Sequence, residues 1–287
     1  MNHFRVLVTG LDGFTGQHLR KNLSDSGFDV IGLESNLVNR EKVINEVNQI
    51  SPEYVVHLAA LSFSGEVRIR ELYDVNVQGT INLLDALKNL RKCPTKIILA
   101  SSASVYGNRA KDIAREDSEL SPTNHYGCSK LAMECLAKTY FDKLPIIITR
   151  PFNYTGIGHE DIFVIPKIVN AYALGQKSIE LGNLDVYREF NDVRDVTKAY
   201  CELLRSPPKS HIVNICSGRS ICLGEVIKKL NKISGITMQV NVNNDLKRTN
   251  EIKNLCGCNS KLKKIYKDSF IYNIEDTLKW MYLEKTK

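Results

Sequence analysis

Short runs of consecutive apolar residues alternate with longer amphipathic stretches through the first half of the chain. The runs are rich in β-branched side chains and predict strands at 4–8, 30–33, 54–58, 96–100 and 146–150. The stretches between them predict helices at 16–24, 40–49 and about 75–89, with a further helix that starts near Tyr126. Strands without polar alternation are typical of a sheet that helices cover on both faces. The pattern therefore predicts an α/β fold with a parallel sheet.

This regular alternation ends after Arg150. The second half predicts a loop at 153–158, a β-rich segment at 177–191, helices at 163–174, 193–204 and 223–234, and strands at 211–215 and 237–242, followed by a polar loop and helices. No repeat or low-complexity linker separates the two halves. We therefore predict one domain over 1–150 and a smaller α/β lobe over 151–287 that is interleaved with the sheet.

The composition narrows the class of protein. With 287 residues, of which 43% are apolar and 25% charged, the chain can bury a large core, which excludes disorder, collagen and coiled coil. No apolar stretch reaches the roughly 18–20 residues that span a bilayer, and the N-terminus lacks the pattern of a signal peptide. We therefore expect a cytoplasmic protein without a membrane segment.

Neither the cysteines nor the net charge requires a metal or a nucleic acid. The eight cysteines include no CxxC pair, and Cys256-Gly257-Cys258 has no second ligand pair nearby, so we expect reduced thiols and no metal site. The net charge of +7 suits either nucleic acid or a basic pocket for an acidic small molecule. Because the lysines at 261–267 form only a short cluster, typical of a solvated helix face, we expect no nucleic-acid partner.

Three glycines follow the first predicted strand directly. Gly10, Gly13 and Gly16 form a G-x-x-G-x-x-G pattern that opens the first helix, with Asp12 and Phe14 between them. Glycines permit a tight turn in which backbone N–H groups approach a pyrophosphate, and the helix N-terminus adds partial positive charge. Since strand, loop and helix come in the required order, we predict a dinucleotide-binding site, with a plain strand-to-helix turn as the alternative.

Glu34 lies where the second strand should end, at the position that meets the adenosine ribose in folds of this kind. Its carboxylate can accept hydrogen bonds from both ribose hydroxyls, which favours NAD. No arginine follows directly to bind a 2′-phosphate, although Ser35 and Asn36 can tolerate one, and an exposed loop glutamate fits the sequence equally well. The predicted cofactor is therefore NADP or NAD.

Tyr126 and Lys130 form a Y-x-x-x-K pattern whose spacing puts both side chains on one helix face. An ammonium group near a phenol lowers the pKa of the phenol from about 10, which makes it an acid or base near neutral pH. The segment Ser101-Ser102-Ala103-Ser104 follows the fourth predicted strand, at the edge where ligands bind in open α/β sheets. A serine hydroxyl there can hold a carbonyl or alkoxide oxygen beside Tyr126. The residues therefore indicate a proton-transferring pair, Tyr126 and Lys130, with a serine of this loop beside it.

Together these motifs resemble the extended short-chain dehydrogenases/reductases that act on nucleotide-sugars, within the NAD-dependent epimerase/dehydratase family. The resemblance extends over nearly the whole chain and is carried by the glycine loop, His57-Leu58-Ala59-Ala60, Asn76-Val77-Gln78-Gly79-Thr80, the segments 101–107 and 126–130, and Arg150-Pro151-Phe152-Asn153.

This resemblance implies a Rossmann doubly wound parallel sheet that binds NAD or NADP, and a nucleotide-diphosphate sugar in the C-terminal lobe. It also implies that the catalytic residues are Ser102, Tyr126 and Lys130. The implied cofactor contacts are Gly10, Asp12, Gly13, Phe14, Gly16, Glu34, Leu58, Ala59, Ala60, Asn76, Tyr126 and Lys130. A homodimer is also implied, through the helices around 82–89 and 133–141, for which core packing within one chain is an equal interpretation.

Several reactions of this family share hydride exchange with the nicotinamide and proton exchange with Tyr126. They differ in the additional acid and base groups that they need. A 4,6-dehydratase of the family carries acidic residues directly after the hydroxyl residue of the loop, where this chain has Ala103 and Ser104. A 3,5-epimerase-reductase needs an additional Cys and His pair, and although His125 and Cys128 flank Tyr126, that is not the placement of the family. Reduction of a 4-keto group and 4-epimerisation by transient oxidation therefore remain.

Segments of the C-terminal half resemble GDP-6-deoxy-D-mannose reductases, namely 182–184, 188–196, 213–218 and 248–251. By this resemblance Arg188 and Arg248 face the substrate diphosphate, for which guanidinium groups offer paired hydrogen bonds, with surface arginines as the alternative. The other predicted substrate contacts are Ser102, Asn153, Val164 and Glu251. A structural turn at Asn153 and core packing around Val164 are the alternatives.

The predicted function is NAD(P)H-dependent reduction of an NDP-4-keto-6-deoxyhexose to the NDP-6-deoxyhexose, in the synthesis of deoxysugar precursors, with GDP and dTDP both open. The alternative is an NDP-sugar 4-epimerase with tightly bound NAD. The loop at 101–107 resembles that of a sugar 4-epimerase more closely than that of a typical GDP-6-deoxy-D-mannose reductase. A regulator that only senses NAD(P) has no need of Tyr126 and Lys130.

Overall fold

A computed structural model of the protein describes residues 4–62, 68–109, 113–207, 209–246, 252–268 and 270–287. The strands are β1 Arg5–Thr9, β2 Asp29–Gly32, β3 Tyr54–His57, β4 Lys96–Ala100, β5 Ile113–Ala114, β6 Ile146–Pro151, β7 Tyr154–Thr155, β8 Ser178–Leu181, β9 Tyr187–Arg188, β10 Asn191–Asp192, β11 His211–Ile215, β12 Ile221–Cys222, β13 Gln239–Val242 and β14 Asn254–Gly257. The helices are α1 Phe14–Asp25, α2 Arg40–Ile50, α3 Ile69–Tyr73, α4 Thr80–Lys88, α5 His125–Lys138, α6 Val164–Ala173, α7 Val193–Arg205, α8 Leu223–Ser234, α9 Ser260–Ile265 and α10 Ile274–Lys285. A π-helical turn, Asp74–Gly79, joins α3 to α4. None of the helices in the described ranges is both long enough and apolar enough to cross a membrane.

Six parallel strands form the central sheet, in the order β11-β6-β4-β3-β1-β2. The chain leaves β1 toward β2 on one side and returns to β3 on the other, so the strand order reverses between β1 and β3. Ligands of such sheets bind in the crevice at this reversal, outside the carboxyl ends of the strands. The predicted Rossmann doubly wound sheet is therefore confirmed. Its edge strand β11 comes from the second half of the chain and pairs with β6.

Alternate residues of the strands enter two separate hydrophobic clusters, one on each face of the sheet. Val6 and Val8 pack with α1 and α7 on one face, while Leu7 packs with α2, α4 and α5 on the other. Burial on both faces explains why the strands show no polar alternation. The leucines of 82–89 and the apolar residues of 133–141, considered for a dimer interface, largely belong to the second cluster and lie within one chain.

A third hydrophobic cluster lies apart from the central sheet and is supplied by α6, α8, α10, β8 and β13, all from the second half of the chain. A four-stranded sheet in the order β12-β9-β14-β5 adjoins it. The sequence predicted a polar loop where β14 lies, and this was wrong. Leu255 and Cys256 are buried there, and the strand forms by pairing with β9 and β5 rather than from an apolar run of its own.

A buried ion pair joins the sheet to α5. Arg150, at the end of β6, is 1% exposed and Glu134, on α5, is fully buried. Arg150 donates to the two Glu134 oxygens at 2.9 and 2.7 Å. Its third guanidinium nitrogen donates to the Tyr106 hydroxyl and the Glu116 carbonyl oxygen, and Ser101 donates to Glu134 at 2.6 Å. Every charged atom of the pair has a partner, as buried charges require.

Replacing Glu134 with glutamine should destabilise the fold, because the Arg150 guanidinium then stays charged and buried without a counter-ion. Loss of one partner of a buried pair costs about 3–5 kcal/mol, which urea unfolding followed by circular dichroism measures. The double variant E134L/R150M, which carries neither charge, should be more stable than E134L or R150M alone. A double variant whose loss equals the sum of the two single losses would contradict the coupling.

Candidate active site

The glycine loop connects β1 to α1 at the point where the strand order reverses. Gly10 has a φ of +70°, and a Cβ on it would lie 2.9 Å from the Ala59 nitrogen. A Cβ on Gly16 would lie 2.3 Å from the Gly10 carbonyl oxygen. α1 starts after Gly13 with no side-chain hydrogen bond at its N-cap, and Asp12 beside it is exposed. The first N–H groups of α1 therefore suit a pyrophosphate.

Thr9, His57 and Thr80 form a buried hydrogen-bond chain at the ends of β1 and β3. Thr9 Oγ1 accepts the N–H of Ala59 at 3.1 Å and lies 2.7 Å from His57 Nδ1. The other ring nitrogen, Nε2, lies 2.9 Å from Thr80 Oγ1. Burial, and then a nearby lysine ammonium, lower the pKa of His57 to about 3, so the ring is neutral. These hydrogen bonds fix the segment 58–60, which carries three predicted cofactor contacts.

Asn76, another predicted cofactor contact, lies in the π-helical turn and is 1% exposed. Its side-chain oxygen accepts the N–H of Leu61 at 2.8 Å. Its amide nitrogen donates to the Leu61 carbonyl oxygen and to Ser129 Oγ, both at 3.0 Å. Since these bonds engage the whole polar side chain, Asn76 positions the segment after β3 against α5 rather than presenting a free polar group.

The N-terminus of α5 sets the position of the predicted catalytic pair. Asn124 caps this helix by accepting the N–H of Gly127 at 2.8 Å. Tyr126 and Lys130 then follow one turn apart on the same helix. Tyr126 is half-buried, whereas Lys130 is only 4% exposed.

Ser102 joins this pair from the carboxyl end of β4. Its Oγ accepts the N–H of Ser104 at 3.1 Å, and it lies close enough to the Tyr126 phenol to lower the pKa of that group. Lys130 Nζ donates to the carbonyl oxygen of Ala100 at 2.7 Å. The three residues therefore meet at the carboxyl end of β4, which is next to β3 in the sheet.

The pKa of the phenol differs from the expectation. Burial raises the pKa of Tyr126 to about 12, with smaller effects from Tyr154, which raises it, and Ser102, which lowers it. The prediction that Lys130 lowers this pKa was wrong, because loss of hydration dominates and the ammonium is directed at a backbone carbonyl. Burial lowers the pKa of Lys130 itself to about 8, against the opposing charge of Glu134. At neutral pH the site therefore holds a neutral phenol and a largely charged lysine.

Stacked rings connect α1 to the second half of the chain. The ring centroids of Phe14 and His159 are 4.4 Å apart, and those of His159 and Phe163 are 4.3 Å apart. Beside the stack, Thr15 Oγ1 lies 2.7 Å from the Tyr154 hydroxyl. The ring of Phe14, a predicted cofactor contact, therefore packs against the segment that leads into α6.

A cavity of about 470 Å³ lies beside β7 and the start of α6. Two predicted substrate contacts line it, Asn153 and Val164, together with Phe163, Phe190 and Leu246. Asn153 is exposed, and Val164 is the first residue of α6. Apolar walls with a few polar groups are typical of a small-molecule site.

The remaining predicted contacts lie elsewhere. Arg188, on β9, is half-buried and donates to the Tyr187 carbonyl oxygen at 2.8 Å. Arg248 and Glu251 lie outside the described residues. Glu34 is exposed after β2 and lines a separate surface depression. Within the described ranges, no three His, Cys, Asp or Glu side chains are grouped so that they could hold a metal ion.

The sequence model of the NAD dependent epimerase/dehydratase family matches residues 6–216, which include the central sheet, the glycine loop and all three predicted catalytic residues. The chain belongs to this family. The family resemblance based on the motifs is thereby confirmed. The predictions that the protein is an oxidoreductase and that its cofactor is NAD or NADP are confirmed as well.

Individual members of the family are similar over most of the chain. A GDP-6-deoxy-D-talose 4-dehydrogenase of Aggregatibacter actinomycetemcomitans is 31% identical over 97% of both chains. A GDP-6-deoxy-D-mannose reductase of Pseudomonas aeruginosa is 32% identical over 82% of both chains. The crystal structure of a Burkholderia cenocepacia protein, provisionally described as an epimerase, has a TM-score of 0.94 at 39% identity, over 99% of this chain and 98% of the other.

Sequence reasoning missed several residues of the site. Thr9 and Tyr154 directly adjoin residues that the motifs singled out, and Ser129 lies inside the Y-x-x-x-K pattern, so their positions were a usable signal. His159 had no such signal, because its stack with Phe14 joins segments that are far apart in the chain.

Gly16→Ala should weaken dinucleotide binding by a factor of about ten or more, equivalent to at least about 1.4 kcal/mol. The reason is that the new Cβ would lie 2.3 Å from the Gly10 carbonyl oxygen and would force the loop open. Isothermal titration calorimetry with NAD⁺ and NADP⁺ measures the change. Gly224→Ala is the matched control, since its Cβ would meet only Cys222 Sγ, at 3.8 Å. Unchanged affinity in the Gly16 variant would contradict the placement of the cofactor.

Proposed function

We propose that this enzyme reduces the 4-keto group of an NDP-4-keto-6-deoxyhexose, linked to GDP or dTDP, and so forms the NDP-6-deoxyhexose. At a coarser level it is an NAD(P)-dependent enzyme that modifies nucleotide sugars. The observation that carries the finer proposal is the neutral Tyr126 phenol, which lies beside the Ser102 hydroxyl at the carboxyl end of β4. Both curated relatives described above support it, since each is named for oxidoreduction of a GDP-linked 6-deoxyhexose.

In this proposal each catalytic residue has a distinct task. A nicotinamide held in this site would supply the hydride for the sugar carbon. Ser102 holds the keto oxygen by its hydroxyl, and Tyr126 donates its proton to that oxygen as negative charge develops there. Lys130 contributes positive charge to the site and binds the nicotinamide ribose. The Gly10–Gly16 loop binds the pyrophosphate.

The residues that follow Ser102 disfavour a dehydratase. Removing water from the sugar requires an additional base and acid beside Tyr126. Ala103 is 2% exposed and has no titratable group, and the Ser104 hydroxyl accepts a hydrogen bond from Ser102 at 3.1 Å. The buried carboxylate of α5, Glu134, is held by Arg150. A reaction that needs only one proton donor therefore fits this set of side chains best.

A 4-epimerase is the second candidate. The Burkholderia protein provisionally described as an epimerase favours it, because it is similar over nearly the full length. The loop Ser101-Ser102-Ala103-Ser104-Val105 also resembles that of sugar 4-epimerases. Such an enzyme oxidises and re-reduces the same carbon, so it would retain tightly bound NAD and show no net turnover of cofactor.

The substrate is proposed to lie in the cavity beside α6, with Asn153 and Val164 at its wall and Arg188, Arg248 and Glu251 as further contacts. We also expect a homodimer through the helices around 82–89 and 133–141. Leu136 of α5 and Ile69 of α3, which are exposed, supply apolar surface there. All eight cysteines are free, which supports a reducing compartment and hence the cytoplasm.

Freshly prepared GDP- and dTDP-linked 4-keto-6-deoxyhexoses provide the direct test. We expect stoichiometric oxidation of NADH or NADPH, with the 6-deoxyhexose identified by gas chromatography and mass spectrometry after hydrolysis. Tyr126→Phe should reduce the rate by about 10²–10⁴, the usual contribution of a general acid, without loss of fold. Interconversion of NDP-hexoses without cofactor consumption would identify the epimerase. No cofactor consumption with either ketosugar would refute the reductase.

The reductase should lose activity as the pH rises through about 8. Burial lowers the pKa of Lys130 to about 8, so its positive charge is complete below that pH and disappears above it. Tyr126, with a pKa of about 12, remains protonated over the same range and does not cause the decline. A profile of kcat/KM against pH reports these groups in the free enzyme. A rate that stays constant well above pH 8, or one that rises, would contradict the role of Lys130.

A further inference from the structure

The loop after β2 meets the helix α2 in an unusual way. Glu46, which is half-buried on α2, accepts the backbone N–H of Glu34 through Oε1 and that of Ser35 through Oε2, both at 2.8 Å. The hydroxyl of Ser35 lies close enough to this carboxylate to help lower its pKa. Burial alone would raise the pKa of Glu46, but these hydrogen bonds outweigh it and lower the pKa, so the carboxylate is ionised.

This loop is the position at which a Rossmann fold distinguishes its two cofactors. NADP differs from NAD by a phosphate on the adenosine ribose, and a site that takes it needs cations or hydrogen-bond donors after the second strand. In this chain the N–H groups of Glu34 and Ser35 in the loop are already bonded to a carboxylate. A phosphate would have to displace Glu46 and would meet its negative charge.

The charges around the depression act in the same direction. Glu34 lines it with an exposed carboxylate, which can accept the ribose hydroxyls of NAD but repels a phosphate. Of the two cations that line the depression, Arg40 lies 3.6 Å from Asp85, whose charge offsets its own. The other, Lys42, is exposed on α2. The depression is therefore lined by two carboxylates, those of Glu34 and Glu46, and by two cations. Of these cations only Lys42 has no acid beside it among the described ion pairs.

We propose that Glu46, by occupying the N–H groups of Glu34 and Ser35, makes this enzyme selective for NAD(H) over NADP(H). The inference rests on cofactor binding at the glycine loop, as in the proposed function. It assigns Glu46 as a specificity-determining residue that acts by withholding donors, and Glu34 as the residue that receives the ribose hydroxyls.

Calorimetric titration of the full-length protein with NAD⁺ and NADP⁺ tests this without any sugar substrate. We expect the native enzyme to bind NAD⁺ at least about ten times more tightly, a difference of about 1.4 kcal/mol. Glu46→Ala releases the donors and removes the charge, so it should strengthen NADP⁺ binding and bring the ratio close to one. Glu41→Ala removes the same charge from α2 at an exposed position outside the depression and should leave the ratio unchanged.

Several outcomes would overturn the proposal. One is a native enzyme that binds NADP⁺ more tightly than NAD⁺, and another is an equal change of the affinity ratio in the Glu41 and Glu46 variants. A third is a Glu46 variant that binds both dinucleotides more weakly by the same factor, as a purely structural role would predict. Thermal unfolding of each variant identifies a folding defect. If Glu46→Ala has such a defect, Glu46→Gln, which keeps the shape of the side chain but loses its charge, is used in its place. The test is independent of the ketosugar assay, so NAD⁺ selectivity without ketosugar turnover would refute only the proposed reaction.

Discussion

The buried ion pair between Arg150 and Glu134 holds the elements on which the active site is built. Glu134 lies on α5 four residues beyond Lys130, hence on the same face, and Ser101, which donates to it, directly precedes Ser102. A buried pair stabilises a fold no more than apolar residues of similar volume do, so stability alone does not account for it. What it provides is a single relative position for the helix that carries the phenol and the strand end that carries the serine.

A second polar network fixes the same helix to the cofactor side of the crevice. Asn76 bonds both to the segment after β3 and to Ser129, and the Ser129 hydroxyl donates to the Tyr126 carbonyl oxygen at 2.8 Å. The network reaches Thr9, which directly precedes the glycine loop, because Thr80 donates to the Asn76 carbonyl oxygen and His57 lies between Thr80 and Thr9. Since displacement of a reacting group by about 1 Å can cost a hundredfold in rate, two buried networks that end on one helix are a physical means of keeping the phenol in place.

The sequence predicted the central sheet because its strands are buried on both faces and therefore appear as uninterrupted apolar runs. It also brought together Ser102, Tyr126 and Lys130, since their positions follow from strand ends and helix periodicity. β14 could not be found in this way, because its pairing partners β5 and β9 have only two residues each and lie far away in the chain. The direction of the Tyr126 pKa was missed because it depends on burial, which spacing along a helix does not reveal. Glu46 was missed for the same reason, as its partners belong to another element.

The direction of the Tyr126 pKa bears on which reaction the site can begin. With a pKa of about 12, roughly one phenol in 10⁵ is ionised at pH 7, so the resting group is a proton donor and not a base. Reduction begins from that state, because a developing alkoxide is far more basic than a phenolate and takes the proton readily. Reduced nicotinamide is neutral and would add no positive charge beside the phenol. Epimerisation begins instead with oxidation, for which Tyr126 would have to act as a base. The pKa of Tyr126 therefore suits the proton donor that the proposed reduction needs.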